Sequence, residues 1–302
     1  MAKPKSPLLS FGATGTIADS LTFQKRNHGT IARTKPIPKD PYTLAQAYQR
    51  WDYQDYAYLW TLQSQAVQQT YRTRASRYHI TGFSLWMREH LRDLPDLAGR
   101  WHLDEKAGAI AYDSSKYATN GIIFGATPTT GLIDGAQYFT LNDYIEITAP
   151  QLNFTSEDFS LVATIKVDSL PGLQSLFRRG LINFDGWEFF IYGNGRIYVY
   201  TSQSGERQYS HSPNGSIVIN TWYTVGFSRA GASITLYKNG LDVTLRPGFH
   251  VDPLTSTRTA KIGIDDNLTD YPFDGRIDNL IVYNRALDAT EHKRHSDRRY
   301  PA

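Results

Sequence analysis

The chain has 302 residues, 40% of them hydrophobic and 20% charged, with a formal net charge of +3. That balance excludes an intrinsically disordered chain and leaves room for two domains of ordinary size. The absence of cysteine excludes a disulfide framework and a thiolate nucleophile, and no apolar run approaches the roughly 18 residues of a membrane-spanning helix.

Charge is unevenly spread. Residues 1–100 carry 14 Lys and Arg against 7 Asp and Glu, and the remainder 18 against 22. The basic first third reads either as an ordinary solvated surface or as a segment that docks on an acidic partner. No nucleic-acid recognition motif accompanies it, so nucleic acid is not an expected partner.

Residues 1–42 read as an extended basic arm. Met1-Ala2-Lys3-Pro4-Lys5 leads into no long apolar stretch, so no secretory signal is expected. Leu21-Thr22-Phe23 and Thr30-Ile31-Ala32 can pair as a hairpin around Asn27-His28-Gly29. Pro36, Pro38 and Pro41 then stiffen an extended stretch. Lys25, Arg26, Arg33 and Lys35 are the candidate docking residues of this arm.

Residues 43–96 read as a small helical docking domain. Thr43 is a candidate N-cap, and Leu44, Ala47, Tyr48, Trp51, Tyr58 and Leu62 recur near helical spacing. Ser64 can cap a second helix carrying Val67, Tyr71 and Ala75. A third follows Thr81-Gly82, with Phe83, Trp86, Met87 and Leu91 on one side, and Leu94-Pro95-Asp96 ends it. Helices this small bury little area and must lean on neighbours or on an oligomer.

From residue 97 the hydrophobic period changes to two. Phe159 to Ile165, Ser233 to Tyr237 and Ile277 to Tyr283 alternate, with turn signals at Asp185-Gly186, Gly193-Asn194-Gly195, Asn214-Gly215 and Asn239-Gly240. Many short strands without strand–helix alternation indicate an antiparallel sandwich over residues 97–296, followed by a tail at 297–302.

Several segments, in order, carry a resemblance. They are Trp101-His102-Leu103-Asp104-Glu105, Asp113-Ser114-Ser115 through Asn120-Gly121, Gly135-Ala136-Gln137-Tyr138-Phe139, and Phe159 through Ile165. Asn220-Thr221-Trp222-Tyr223, Ile234 through Gly240 and Phe273 through Leu287 complete the series. Together they resemble the laminin-G-like, concanavalin-A-like lectin and glucanase superfamily over roughly residues 98–296. The resemblance implies a mainly β, jelly-roll sandwich that binds rather than transforms its ligands. In such a fold Trp222 is expected in the core. The N-terminal region, about residues 8–93, loosely resembles small domains of phage and prophage structural proteins.

The resemblance also implies where chemistry would sit. Glucanases of the superfamily use two close carboxylates, but Glu89, Glu105, Glu146, Glu157, Glu188, Glu206 and Glu291 form no Glu-x-Asp-x-Glu run, so no catalytic residue is assigned. Relatives often hold a structural Ca²⁺, and the matching positions are Asp113 and Asp278. The family's usual Gly-Asn-Gly becomes Lys116-Tyr117-Ala118, which removes backbone freedom and adds a cation. Asp265, Asp266 and Asp270 read as further carboxylates or as solvated turn residues. His292 and His295 have the spacing of a metal pair, but read more simply as a solvated basic helix end. Trp187, Tyr192, Tyr198 and Tyr200 are the candidate ligand-binding aromatics, because flat rings stack on the CH faces of sugars. Alternation puts Trp187, Phe189 and Ile191 on one face of a strand and Glu188, Phe190 and Tyr192 on the other, leaving open which face is core.

The expectation that reconciles these features is a phage virion structural protein, a capsid decoration, head-fibre or tail-fibre. It would be made in the host cytoplasm, anchor to a capsid or tail protein through its N-terminal region, assemble as a homo-oligomer such as a trimer, and display the sandwich to glycans or a host surface. The alternatives are a cellular lectin-like adhesion protein and a glycoside hydrolase of the same superfamily.

Overall fold

A computed structural model describes three strands, Gly15–Ile17 (β1), Leu21–Arg26 (β2) and Gly29–Thr34 (β3), and residues 43–299. The three strands form an antiparallel sheet in the order β1-β2-β3. Phe23 faces Ala32 and Arg26 faces Gly29, the hairpin expected from the sequence. Lys25 and Arg26 lie in β2 and Arg33 in β3. Lys35 and the three prolines after it lie outside the described residues.

From Leu44 the chain forms one compact unit that holds both the helices and the sandwich. The helices are α1 (Leu44–Leu62), α2 (Gln65–Ala75) and α3 (Gly82–Asp93). The Ser64 hydroxyl accepts the Val67 N–H at 3.3 Å, and the Thr81 hydroxyl accepts the Ser84 N–H at 3.0 Å. Each cap satisfies an amide that the first helical turn leaves without a partner. Leu94 closes α3 in the left-handed region, donating its N–H to the His90 carbonyl at 2.8 Å.

The helical core is thin: Tyr56, Trp86 and Met87 form its one buried cluster, and Ala47, Ala75 and Leu85 are also buried. The helices are held instead against the sandwich. Asp52 pairs with Arg100 at 2.7 Å, Asp55 with Arg298, and the Tyr58 hydroxyl donates to Asp288 at 2.8 Å.

The sandwich strands are β4 (Leu97–Trp101), β5 (Ile110–Ala111), β6 (Gly121–Phe124), β7 (Thr127–Thr130), β8 (Gly135–Phe139) and β9 (Tyr144–Ile147). Next come β10 (Phe159–Val167), β11 (Gln174–Leu181), β12 (Asp185–Ile191), β13 (Ile197–Gln203) and β14 (Glu206–His211). Finally come β15 (Trp222–Ala230), β16 (Ser233–Lys238), β17 (Leu241–Asp242), β18 (Ala260–Ile262) and β19 (Gly275–Tyr283), with α4 (Ala289–Asp297) behind them. One sheet runs β17-β16-β15-β10-β19-β8-β7, with β4 also on β19; the other runs β14-β13-β12-β11-β18-β9-β6-β5. Both are antiparallel, so the protein is mainly β, two facing sheets of jelly-roll type with a small helical part.

The inner faces meet over one core that includes Trp101, Phe159, Phe177, Trp187, Phe189 and Phe227. On the outer face of the first sheet, Leu97, Val162, Ile281, Tyr283 and Leu287 form a second cluster against Leu94. The helices thus pack on the first sheet.

Four local expectations need correction. Trp222 is only half-buried and stands outside the core, because alternation along β15 gives the inner positions to Val225 and Phe227 and leaves Trp222 on the opposite parity. The opening strand is Leu97–Trp101, ending where Trp101-His102 was expected to begin it. Asp185-Gly186 is not the hairpin turn, which precedes it at residues 182–184. Gly186 instead faces Gly180 across the pair, with φ of +71° and +128°, a left-handed backbone that glycine adopts without strain. Lastly, His292 and His295 are not solvated but buried. His292 stacks on Tyr237 at 3.9 Å and shares a hydrogen bond with Ser228 at 2.9 Å, and His295 does the same with the Tyr283 hydroxyl at 2.9 Å.

Candidate functional site

The outer face of the second sheet carries a set of aromatic and basic side chains on β12, β13 and β14. Register brings them together: Glu188 faces Tyr200, which faces Tyr209, and Phe190 faces Tyr198, which faces His211. Alternation then decides which rings meet solvent. Trp187, Phe189 and Ile191 point into the core, and Glu188, Phe190 and Tyr192 point outward.

Phe190 is the floor of this face. It is fully buried, with Tyr198 parallel to it at 5.1 Å and 9° and Tyr200 edge-on at 4.5 Å. Such stacked and edge-to-face pairs favour the quadrupoles of the rings and fix their planes. Tyr192, 47% exposed, stands 6.1 Å from Tyr198. His211 lies 5.0 Å from Tyr198 on the next strand, with its Nδ1 2.9 Å from the Ser212 carbonyl. Burial lifts the Tyr200 hydroxyl to about 12, so it remains a donor at neutral pH.

Three arginines border the rings. Arg207 lies over Tyr200 at 5.0 Å, Arg246 lies over Tyr209 at 4.4 Å and also bonds its hydroxyl, and Arg196 reaches the Tyr198 hydroxyl at 3.5 Å. The strand parity that puts Tyr209 and His211 outward also puts Arg207 there.

Of the four aromatics expected at a ligand site, three are brought together and one is not. Tyr192, Tyr198 and Tyr200 share this face. Trp187 is 2% exposed, stacks on Phe177 at 5.0 Å, and donates its indole N–H to the Leu152 carbonyl at 3.0 Å. It is a core residue, because the sheet buries the face of β12 that carries the larger apolar area. Tyr209, His211 and the arginines were missed. The signal for them was the i, i+2 spacing of Arg207, Tyr209 and His211 in one short strand.

Glu188, the carboxylate nearest these rings, is sealed beneath them. It is 2% exposed and lies 3.8 Å from Arg178, which also pairs with Asp265 and donates to the Gly180 carbonyl at 3.0 Å. Burial pushes its pKa up while Arg178 pulls it down. A carboxylate with no open edge cannot reach a glycosidic oxygen. Asp265 and Asp266 are likewise committed, Asp266 to Arg258 and to Lys261 at 3.0 Å.

The two carboxylates matched to calcium do not fit a metal centre. Asp113 accepts five hydrogen bonds: the N–H groups of Arg100 (2.9 Å), Ser115 (2.8 Å) and Thr119 (2.9 Å), and the hydroxyls of Ser115 (2.8 Å) and Thr119 (2.9 Å). Asp278 accepts the N–H groups of Leu132 and Ile133, both at 2.7 Å, and the Asn279 amide at 2.6 Å. A cation needing six to eight oxygens would have to displace these donors. Among the described residues no group of three or more His, Asp or Glu is placed to hold a metal ion. Both aspartates instead fasten loops. Asp278 clasps the β7–β8 hairpin, where a Cβ at Gly131 would come within 2.6 Å of its carboxylate.

Two packed antiparallel sheets with an aromatic outer face define a lectin-like β-sandwich. A family model for the concanavalin A-like lectin/glucanases superfamily matches residues 134–291, and the chain belongs to that superfamily. Among solved structures it is similar to the binding domain of Paraclostridial Mosquitocidal Protein 1, with a TM-score of 0.55 at 16% identity over 67% of this chain and 52% of that one. It is also similar to the binding domain of botulinum neurotoxin serotype G, with a TM-score of 0.53 at 15% identity over 67% of this chain and 50% of that one. The chain thus matches about half the length of each. A further match is domain 4 of AbnA, an extracellular GH43 arabinanase from Geobacillus stearothermophilus, with a TM-score of 0.49 at 17% identity over 66% of this chain and 97% of that one. At such identities the likeness is one of fold. No curated protein matches the chain. Among the described residues no helix is long and apolar enough to cross a membrane.

Proposed function

We propose that this protein binds carbohydrate on the outer face of β12–β14 and presents that face from a larger particle, a phage capsid or tail. The observation that carries the binding half is the stacking of Tyr198 on a buried Phe190, with Tyr192 and His211 next to Tyr198 and Tyr200 edge-on to Phe190. Rings whose planes are fixed before a ligand arrives lose little entropy on binding, and their faces suit the CH surfaces of a pyranose. The hydroxyls and the imidazole supply hydrogen bonds at the edge, the few polar groups that orient a sugar.

The particle half is supported by the basic surplus of the first 100 residues. In this reading the β1–β3 unit, with Lys25, Arg26 and Arg33, docks on an acidic capsid or tail protein. Homo-oligomerisation as a trimer would multiply weak sugar contacts into useful avidity. A cellular adhesion protein would use the same face without the particle. Mass spectrometry of purified virions separates the two: the chain is expected among the structural proteins, and its absence there contradicts the particle half.

A further inference from the structure

The guanidinium groups of Arg207 and Arg246 cover the ring faces of Tyr200 and Tyr209 at 5.0 and 4.4 Å, so a ligand approaching that half of the sheet meets cations before rings. Both arginines are exposed, and Arg196, half-buried, adds a third cation at Tyr198. Among the described residues none of the three is in an ion pair, whereas Arg74, Arg92, Arg100, Arg178, Arg229, Arg258, Arg276, Arg285 and Arg298 each have an Asp or Glu. Glu188 is sealed below the face, where it pairs with Arg178; the Arg207 charge helps to lower its pKa, but Arg207 and Glu188 form no ion pair. Other arginines also stand outside ion pairs, but Arg207, Arg246 and Arg196 gather without one around a single patch of rings.

We propose that the ligand of this face is an acidic oligosaccharide, one bearing carboxylate or sulfate groups; the inference rests on the carbohydrate-binding reading of the same face. Stacking over the rings and one hydrogen bond each, Arg207 to the Asn183 side chain at 3.4 Å and Arg246 to the Tyr209 hydroxyl, orient the guanidinium groups, and their remaining N–H groups can pair with two oxygens of an anion. Tyr192 and Tyr198, which carry no such cover, take the apolar face of a neighbouring sugar. The division along the sheet is therefore acid group at Arg207 and Arg246, pyranose face at Tyr192 and Tyr198.

The test is surface plasmon resonance on the full chain with four probes: an oligogalacturonide for carboxylate, a heparin-derived oligosaccharide for sulfate, cellohexaose as a neutral sugar, and inorganic polyphosphate as an anion without sugar. The acidic oligosaccharides are expected to bind at least about tenfold tighter than cellohexaose at low salt, with the gap closing at high salt. Arg207→Gln with Arg246→Gln is expected to remove the gap, and both positions are exposed, so folding survives. The preferred acidic probe tells carboxylate from sulfate. Cellohexaose binding as tightly as the acidic probes, and losing affinity in Tyr198→Ala, overturns the acidic class and leaves the sugar platform standing. Polyphosphate binding as tightly as the acidic sugars also overturns it. Binding of no probe overturns both.

Discussion

Arg178 and Glu188 face each other across β11 and β12 with 3.8 Å between nitrogen and oxygen, and each side chain is 3% exposed or less. The pair lies under the tyrosine face, and Asp265 closes on Arg178 from the loop after β18. Removing one partner strands the other in a medium that solvates it poorly. Arg178→Ala is expected to cost about 3–5 kcal/mol of stability, whereas removing all three charges together, Arg178→Met with Glu188→Leu and Asp265→Asn, is expected to cost much less. Urea denaturation of the three proteins checks this; equal losses in both variants would contradict it.

Trp187 and Tyr192 test which side of β12 is core. Trp187→Ala is expected to destabilise by about 3–5 kcal/mol, because it opens a cavity among Phe154, Phe159, Phe177 and Phe227. Tyr192→Ala is expected to change stability by only about 0.5 kcal/mol. Thermal unfolding of the two variants separates them, and a destabilised Tyr192→Ala would mean that the outer ring is structural.

Particular residues show what could be read from the chain alone. The two-sheet fold was legible because period-two runs and Asn239-Gly240-type turns are local signals, and Asn239 and Gly240 do turn with φ of +51° and +79°. The three outward tyrosines were legible as a cluster because they lie within nine residues. Trp187 was misplaced among them because alternation separates two faces without saying which one another sheet will cover. Arg207, Tyr209, His211 and Arg246 were missed because they join the face through strand register, and register is a long-range property. The burial of His292 and His295 was equally invisible: a basic C-terminal helix reads as solvated until a sheet is found beneath it.

Asp113 and Asp278 are expected to act as loop fasteners. Asp113→Ala leaves the amides of Arg100, Ser115 and Thr119 without their acceptor and is expected to cost about 2–4 kcal/mol. Calcium is expected to leave the melting temperature of the parent unchanged. Differential scanning calorimetry with calcium and with chelator checks both, and a calcium-dependent rise that Asp113→Ala abolishes would contradict the fastener account.

Stability should depend on pH in two opposite ways. Burial lowers His250 to about 4, against about 6.5 in an unfolded chain. As pH falls between those values the unfolded chain binds the extra proton, so this contribution to stability is present above about 6.5 and is lost toward 4. Asp278 is lifted by burial to about 7. Between its unfolded value, about 4, and 7 the folded protein holds the extra proton, so its contribution favours folding at the acid end and fades as pH rises. His250→Gln is therefore expected to lose its deficit against the parent as pH falls, and Asp278→Asn to gain on the parent as pH rises. Urea midpoints across this range check both slopes; a difference independent of pH in either variant would contradict the assignment.

The central claim is that the outer face of β12–β14 binds sugar, and a glycan microarray probed with the full chain and with its Tyr192→Ala, Tyr198→Ala double variant tests it most directly. The account expects discrete oligosaccharide hits for the parent that vanish in a variant which still unfolds cooperatively. A parent without hits, or a variant that keeps them, would contradict it.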